Sequence, residues 1–233
     1  AWRTSSRWPL ANQKLTRFYF GDGKTGSIAS INDGLLWPKP PDKDAADAYT
    51  VDYSTTSGKY SRWYAVNWPR NYPDMQTNDK KALTYTTSPL EADVLITGHP
   101  AVHLWFVTDA ADLDFFVYLE DVKGSKSTYI TEGNLRASHR ALSEAPFNNL
   151  GLPYHRHYKS DLAPIPAGKP VELVFNLLPT SYLFRAGNRI RITVTCADAD
   201  NFETPALDPV PKIRLLRDAA HASSVEFPII QGP

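Results

Sequence analysis

The sequence predicts an all-β fold, a jelly-roll-like antiparallel β-sandwich, and three observations carry that reading. Short apolar runs are punctuated by 19 prolines and 12 glycines. Within those runs, alternation of period two is easier to find than the 3.6-residue stripe of a helix. There are more than ten such runs, joined by turn chemistry and lacking long amphipathic helices, which is the pattern of two stacked sheets.

In chain order, the expected strands are residues 15–20, 48–53, 82–86, 93–97, 101–108, 113–122, 128–132, 171–178, 189–196, 212–216 and 224–227. The segment 189–196 shows the logic. Ile190, Ile192, Val194 and Cys196 fall on one face, with Arg189, Arg191, Thr193 and Thr195 on the other. The arginines are therefore expected on an outward face, with Cys196 in the core, where each buried aliphatic contributes roughly 1.5–3 kcal/mol. No basic or histidine neighbour activates Cys196 locally. The preceding Ala186-Gly187-Asn188 is a turn, since Gly and Asn tolerate positive φ. Residues 37–81 and 141–168 show little alternation, and irregular stretches of that length are either functional or packed over a sandwich end.

The 233 residues suit one β-sandwich domain spanning 1–233, large enough to bury roughly 70% of its unfolded surface without a staple. The 25 basic and 25 acidic residues cancel, which gives no footprint for nucleic acid or an anionic membrane. A single cysteine excludes an intrachain disulfide and fits a reducing compartment, yet cytoplasmic and periplasmic or secreted locations both stay open. No apolar run approaches a membrane span and no basic-then-apolar leader opens the sequence. The first residues, Ala1-Trp2-Arg3, fit either a mature N-terminus or a piece of a longer protein.

No G-x-S-x-G nucleophile elbow, P-loop, G-x-G-x-x-G, H-E-x-x-H or paired C-x-x-C occurs. No catalytic residue, metal ligand or cofactor is therefore assigned. On an extended segment His155 and His157 would share a face able to chelate a metal, but their segment reads as a loop without a carboxylate at strand spacing. Asp109, Asp112, Asp114, Asp198 and Asp200 read as strand-terminating turn residues rather than a calcium loop. Glu120 and Asp121 are adjacent on a strand and point to opposite faces, which is poor geometry for an acid/base pair. Trp63, Tyr64, Trp68 and Tyr72 could form a stacking platform for sugar rings or seal a sandwich end against another domain. Both readings stay open.

Three blocks resemble a known module: "LTYTTSPLEADVLITGHPAVHLWFVTDAADLDFFVYLEDV" (83–122), "YITEGNLRASHR" (129–140) and "PAGKPVELVFNLLPTSYLFRAGNRIRITVTCADADNF" (166–202). With "WRTSSRWPLANQKLTRFYFGDGKTGSI" at the start, they are similar to the C-terminal domain of the X-prolyl dipeptidyl-peptidase, cocaine esterase and α-amino-acid ester hydrolase family, the CocE/NonD hydrolases. The resemblance implies a galactose-binding-like jelly roll that is not itself catalytic. In the family, a Ser-His-Asp triad belongs to a preceding α/β-hydrolase domain, so no triad residue carries over. That hydrolase domain is the implied partner, with this module buttressing it, helping to wall its substrate pocket and leaving room for a homo-oligomer interface. In "TEGNLRASHR", a helical turn would put Arg136 and Arg140 on one face, to fork onto Glu132 or a neighbouring domain's carboxylate, or into an internal ion-pair network. Residues 49–68 depart from the proline- and glycine-rich stretch of many members, which leaves substrate preference open. A carbohydrate-binding module using the aromatic loop is the alternative from another class.

Overall fold

Alternating runs become strands because period two places every second side chain on one apolar face, and pairing those strands satisfies the backbone. The computed structural model describes residues 4–63 and 70–232. Along the chain the strands are β1 (Gln13–Gly21), β2 (Gly34–Trp37), β3 (Ala46–Thr50), β4 (Leu83–Thr86), β5 (Val94–Gly98), β6 (Ala101–Thr108) and β7 (Asp114–Lys123). They continue as β8 (Lys126–Arg136), β9 (Val171–Asn176), β10 (Thr180–Phe184), β11 (Arg189–Thr195), β12 (Lys212–Leu216) and β13 (Ser224–Ile230). One short helix, α1 (Gln76–Asp79), precedes β4. Every segment expected from alternation overlaps one of these strands.

Two strands were not anticipated. β2 has only four residues, Gly-Leu-Leu-Trp, too few to show a period. β10 alternates in burial, but its outward Leu183 hides the alternation in the sequence.

The hydrogen-bonded order is β3-β12-β6-β13-β1-β2-β4-β11-β7-β8, with β9 on β6, β5 on β13 and β10 on β5. The strand pairs are antiparallel except β2 with β4, where Gly34 and Leu35 register parallel to Tyr85 and Thr86. The chain leaves β2 on the long 37–81 excursion and returns in its original direction, so β4 enters alongside rather than against it.

The sheet folds over so that two inner faces share one core. Leu104 and Phe106 of β6, Leu173 of β9, Val117 of β7, Ile192 of β11 and Phe227 of β13 are all fully buried in it. The Phe106 and Phe115 rings meet at 4.6 Å. Cys196 joins this core, where burial pushes its thiol well above the ordinary range. At the turn before β11, Gly187 takes φ +84°, as the Ala-Gly-Asn signature requires.

The outward face expected for β11 is itself covered. Arg191, Thr193 and Thr195 are completely buried, and only Arg189 keeps partial exposure. The cause lies in the 37–81 excursion, which lays α1 over β4, β11 and β7 and builds a second small core from Met75, Phe116, Tyr118 and Tyr129. A strand with both neighbours paired and both faces packed has no solvent side. The other irregular stretch is tied to the sheet by His155, which meets the Val174 carbonyl on β9, and by Ile165 N–H to the Ala111 carbonyl.

Candidate functional site

The second core carries the polar chemistry. Its floor is the outer face of β7 and β8, and its roof is the start of the 53–63 segment with Tyr72. Tyr129 and Glu132 are three residues apart, so an unbroken strand would put them on opposite faces. A β-bulge intervenes: Leu119 pairs with Thr131 but Glu120 pairs with Tyr129, leaving Ile130 as the extra residue. Tyr129 and Glu132 therefore share a face, and the Tyr129 hydroxyl donates to Glu132 Oε1 at 2.9 Å.

Glu132 is buried and its nearest cation is Arg62, with Nε 3.4 Å from Oε1. Burial raises the carboxyl from 4.5 to about 7; the Tyr129 hydrogen bond and the Arg62 charge oppose the rise, while Asp198 adds to it. Tyr129 is raised in turn, first by burial and then by the Glu132 charge. Tyr72 stacks flat on Tyr129, with centroids 3.6 Å apart and planes 6° apart. The Tyr72 hydroxyl accepts the Arg62 backbone N–H at 2.9 Å, and the Arg62 guanidinium lies over the Tyr129 ring at 5.7 Å. Trp63 meets Phe202 edge to face at 5.2 Å, and Phe202 continues to Phe116 at 5.0 Å. Trp63 is 43% exposed and forms the rim. Tyr64 and Trp68 lie outside the described residues.

Asp198, just past β11, anchors the roof. Its carboxylate accepts from Ser57 N–H at 3.0 Å, Ser57 Oγ at 2.6 Å, Tyr118 Oη at 3.1 Å and Asn201 Nδ2 at 2.8 Å. Its backbone carbonyl accepts the N–H groups of Asn201 and Phe202, so the chain does turn here. The carboxylate, however, is spent on the distant Ser57 and Tyr118 and on the Asn201 side-chain amide rather than on an Asx-turn. Beside it, Thr56 Oγ1 donates to Asp200 at 2.8 Å.

A second buried cluster sits beneath α1. Arg191 Nη1 donates to Asp79 Oδ2 at 2.8 Å, and Nε donates to Thr86 Oγ1 at 3.0 Å. Glu120 accepts Ser127 Oγ at 2.6 Å and lies against Asp79. Burial raises both carboxyls; for Glu120 the Asp79 charge adds to it, and Arg191 opposes both rises. Asp121, on the opposite face of β7, instead accepts from Tyr182 Oη at 2.8 Å.

Arg136 and Arg140 do not reach Glu132. Arg136 ends β8 and forks onto its register partner Asp114, with Nε and Nη2 at 2.7 and 2.8 Å. Four residues of strand span roughly 13 Å, so an arginine at the strand end lies too far along it to fold back on Glu132. Only residues 137–139 make a helical turn, of 3-10 type. Arg140 spends its guanidinium on the carbonyls of Ala137, Ala163 and Pro164. Both arginines order the loop, and Asp112 joins them by accepting the Ser138 N–H at 2.8 Å.

His155 and His157 do not present a chelating pair. The His155 nitrogens face backbone carbonyls, Nδ1 at 3.1 Å from Ala141 O and Nε2 at 2.9 Å from Val174 O. Among the described residues, no three His, Cys, Asp or Glu side chains are grouped to hold a metal ion. No described helix is long and apolar enough to cross a membrane. Sequence reasoning missed Arg62, Tyr129 and Asp79, because none carries a local signal for its long-range partner.

Residues 1–226 match the family described as the X-Pro dipeptidyl-peptidase C-terminal non-catalytic domain. A Mycobacterium bovis protein named "Putative serine esterase" is 39% identical over 239 residues, covering 99% of this chain and 36% of that protein. The cocaine esterase of a Rhodococcus species is 24% identical over 247 residues, covering 99% of this chain and 40% of that protein. A solved CocE/NonD family hydrolase from Staphylococcus aureus superposes with a TM-score of 0.70 at 17% identity, over 98% of this chain and 39% of that one. The chain thus spans well under half the length of each. By its strands, their order and this match over nearly its whole length, the chain belongs to the X-Pro dipeptidyl-peptidase C-terminal non-catalytic domain family found in CocE/NonD-type hydrolases.

Proposed function

We propose that the chain is the accessory β-sandwich of a serine acyl hydrolase, of esterase or X-prolyl dipeptidyl-peptidase type. It packs against an α/β-hydrolase domain of the same polypeptide and helps to wall its substrate pocket. One observation carries the reading: residues 1–226 match a non-catalytic C-terminal domain, while the relatives are more than twice the length of the chain. In such a protein the attacking serine, its histidine base and the oxyanion donors belong to the hydrolase portion. The sandwich supplies shape.

The Trp63 rim is the proposed contact face. Glu132, Arg62, Tyr72 and Tyr129 hold its base in one geometry, so the exposed indole is presented from a fixed platform rather than from a free loop. This arrangement suits a wall better than a sugar platform. One face of the Tyr72 ring is already stacked against Tyr129 and so closed to a sugar.

The test compares the chain alone with the chain joined to its hydrolase domain, using a p-nitrophenyl acyl ester. Turnover is expected only from the joined protein. Saturable hydrolysis by residues 1–233 alone would overturn the proposal.

A further inference from the structure

The 142–154 segment lies as a strap along a cleft of about 460 Å³, giving Leu142, Ser143 and residues 150–154 to its wall, with Val174 of β9 beside them. Three segments meet where the strap ends, and one ring joins them. His155 Nδ1 lies 3.1 Å from the carbonyl of Ala141, the residue before the strap, and Nε2 lies 2.9 Å from the carbonyl of Val174. Beside this junction Ser143 N–H donates to the Tyr154 carbonyl at 2.9 Å, which closes the base of the strap. The Val174 carbonyl is available to the ring. Leu177 N–H donates to Pro100 O, so in this antiparallel pair Val174, opposite His103, turns its carbonyl away from β6. Among the described strands β9 pairs with β6 alone, and no second strand takes up that outer edge.

Both groups that His155 faces are acceptors. A neutral imidazole carries one N–H, so it donates to one carbonyl and turns a lone pair toward the other; the imidazolium carries two and satisfies both. The observed geometry is that of the charged ring. On its own segment, His157 meets it with ring centroids 5.8 Å apart, and Arg156 is paired with Asp161. On the strap, Tyr154 precedes it and Glu144 is exposed. From the turn after β8, His139 meets His157 at 5.3 Å, and Arg140 is held by the carbonyls of Ala137, Ala163 and Pro164. From the sheet, Glu172 of β9 faces His103 of β6 at 3.1 Å. Burial, then the charges of His155 and His139, lower the His157 pKa, which disfavours a second charge beside His155.

We infer that His155 is a pH-dependent clamp on the strap: as an imidazolium it ties the strap's entry, its exit and the open edge of β9 together through two carbonyls. Loss of one proton takes the donor from one of them. If Nε2 keeps its proton the base of the strap opens at Ala141, and if Nδ1 keeps it the strap comes away from β9. Either way the cleft wall formed by Leu142 and residues 150–154 loosens as pH rises and tightens as it falls. Repulsion among three crowded histidines would act in the opposite direction, driving the strap open at low pH. The clamp does not rest on the role proposed for the Trp63 rim.

The Ser143 amide reports on the clamp, because its bond to Tyr154 sits at the strap base. Its hydrogen exchange is followed by NMR in the 233-residue chain at pH 5.5 and pH 8, each rate divided by that of an unprotected amide. Between the two, protection is expected to fall roughly tenfold more in the unaltered chain than in His155→Gln, whose amide does not titrate. Comparison with the variant cancels the pH dependence that Glu132 imposes on the whole fold, since both chains keep it. His157→Asn, which suits the φ of +57° at that position, is expected to behave like the unaltered chain. At pH 5.5 both ring N–H protons of His155 are expected in the proton spectrum, each slowed in its exchange with water by a carbonyl. An equal pH effect in His155→Gln, loss of the effect in His157→Asn, or His155 ring protons that exchange as fast as those of free histidine would each overturn the inference.

Discussion

Arg191 and Asp79 are 112 residues apart in sequence, yet their side chains meet at 2.8 Å with no exposure to solvent. This ion pair fastens α1 to the central strand β11 and thereby holds the helix over the sheet. Replacing Asp79 by Ala would strip the buried guanidinium of its direct carboxylate partner, since Thr86, Gln76 and Ser27 supply only neutral acceptors and Glu120 acts on it only through its charge nearby. The expected loss is roughly 3–5 kcal/mol, read as a drop in the urea midpoint at constant slope. A change below 1 kcal/mol would show that water reaches the pair.

Glu132 makes stability depend on pH. The folded protein holds its proton with a pKa of about 7, against 4.5 for an ordinary glutamate. Its contribution is therefore fully present below 4.5, declines as pH rises from 4.5 to about 7, and is flat above, by about 3 kcal/mol in all. Glu132→Gln keeps a carbonyl oxygen for the Tyr129 hydroxyl and removes the titration. Urea unfolding at pH 5 and pH 8 is expected to show a smaller difference in the variant than in the parent chain. Equal differences would place the Glu132 pKa at its ordinary value.

Gly133 marks where the far edge of the sheet meets the end of β9. A Cβ there would lie 2.7 Å from the Asn176 carbonyl oxygen and 3.0 Å from Leu177 Cα, both backbone atoms that cannot swing aside. Gly133→Ala is expected to cost roughly 1–3 kcal/mol. Gly23→Ala, whose Cβ would make only ordinary contact with Leu35 at 3.4 Å, is expected to stay within about 0.5 kcal/mol. Thermal midpoints of the two variants distinguish a steric cause from a general intolerance of added methyl groups.

The strands were legible because period two is a local signal, and the sandwich follows once ten or more such segments must share a core. What covers a strand is not local. The pattern Arg189-Ile190-Arg191-Ile192 reads as half-exposed, and only the return of Asp79 from a distant segment makes Arg191 interior. The site divides the same way. Trp63 and Tyr72 stood out as aromatics in a long irregular stretch, and Glu132 through the family resemblance. Their union depends on the bulge at Ile130, a single-residue slip that sequence alternation cannot reveal. Of the two readings of Arg136 and Arg140, the fork onto Glu132 required a helical turn, and β8 instead stays extended to residue 136, which leaves both arginines in the local network that orders the loop.

Trp63 separates the role of the rim from its architecture. The side chain is 43% exposed, meets the partly buried Phe202 edge to face and hydrogen-bonds the Glu132 carboxyl. Trp63→Ala should therefore cost the isolated chain roughly 1–3 kcal/mol, on the scale of one aromatic pair and one hydrogen bond. In a protein carrying the hydrolase domain, the same change removes part of the proposed pocket wall. There KM for a bulky acyl ester is expected to rise roughly tenfold with kcat little changed, the signature of lost binding common to ground and transition states. Phe202→Ala is the companion. It removes the support behind the indole without touching the rim itself, so a smaller rise in KM is expected. If KM stays constant in both variants while the thermal midpoint is also unchanged, the rim does not face the substrate pocket, and the wall must be sought on another edge of the sandwich.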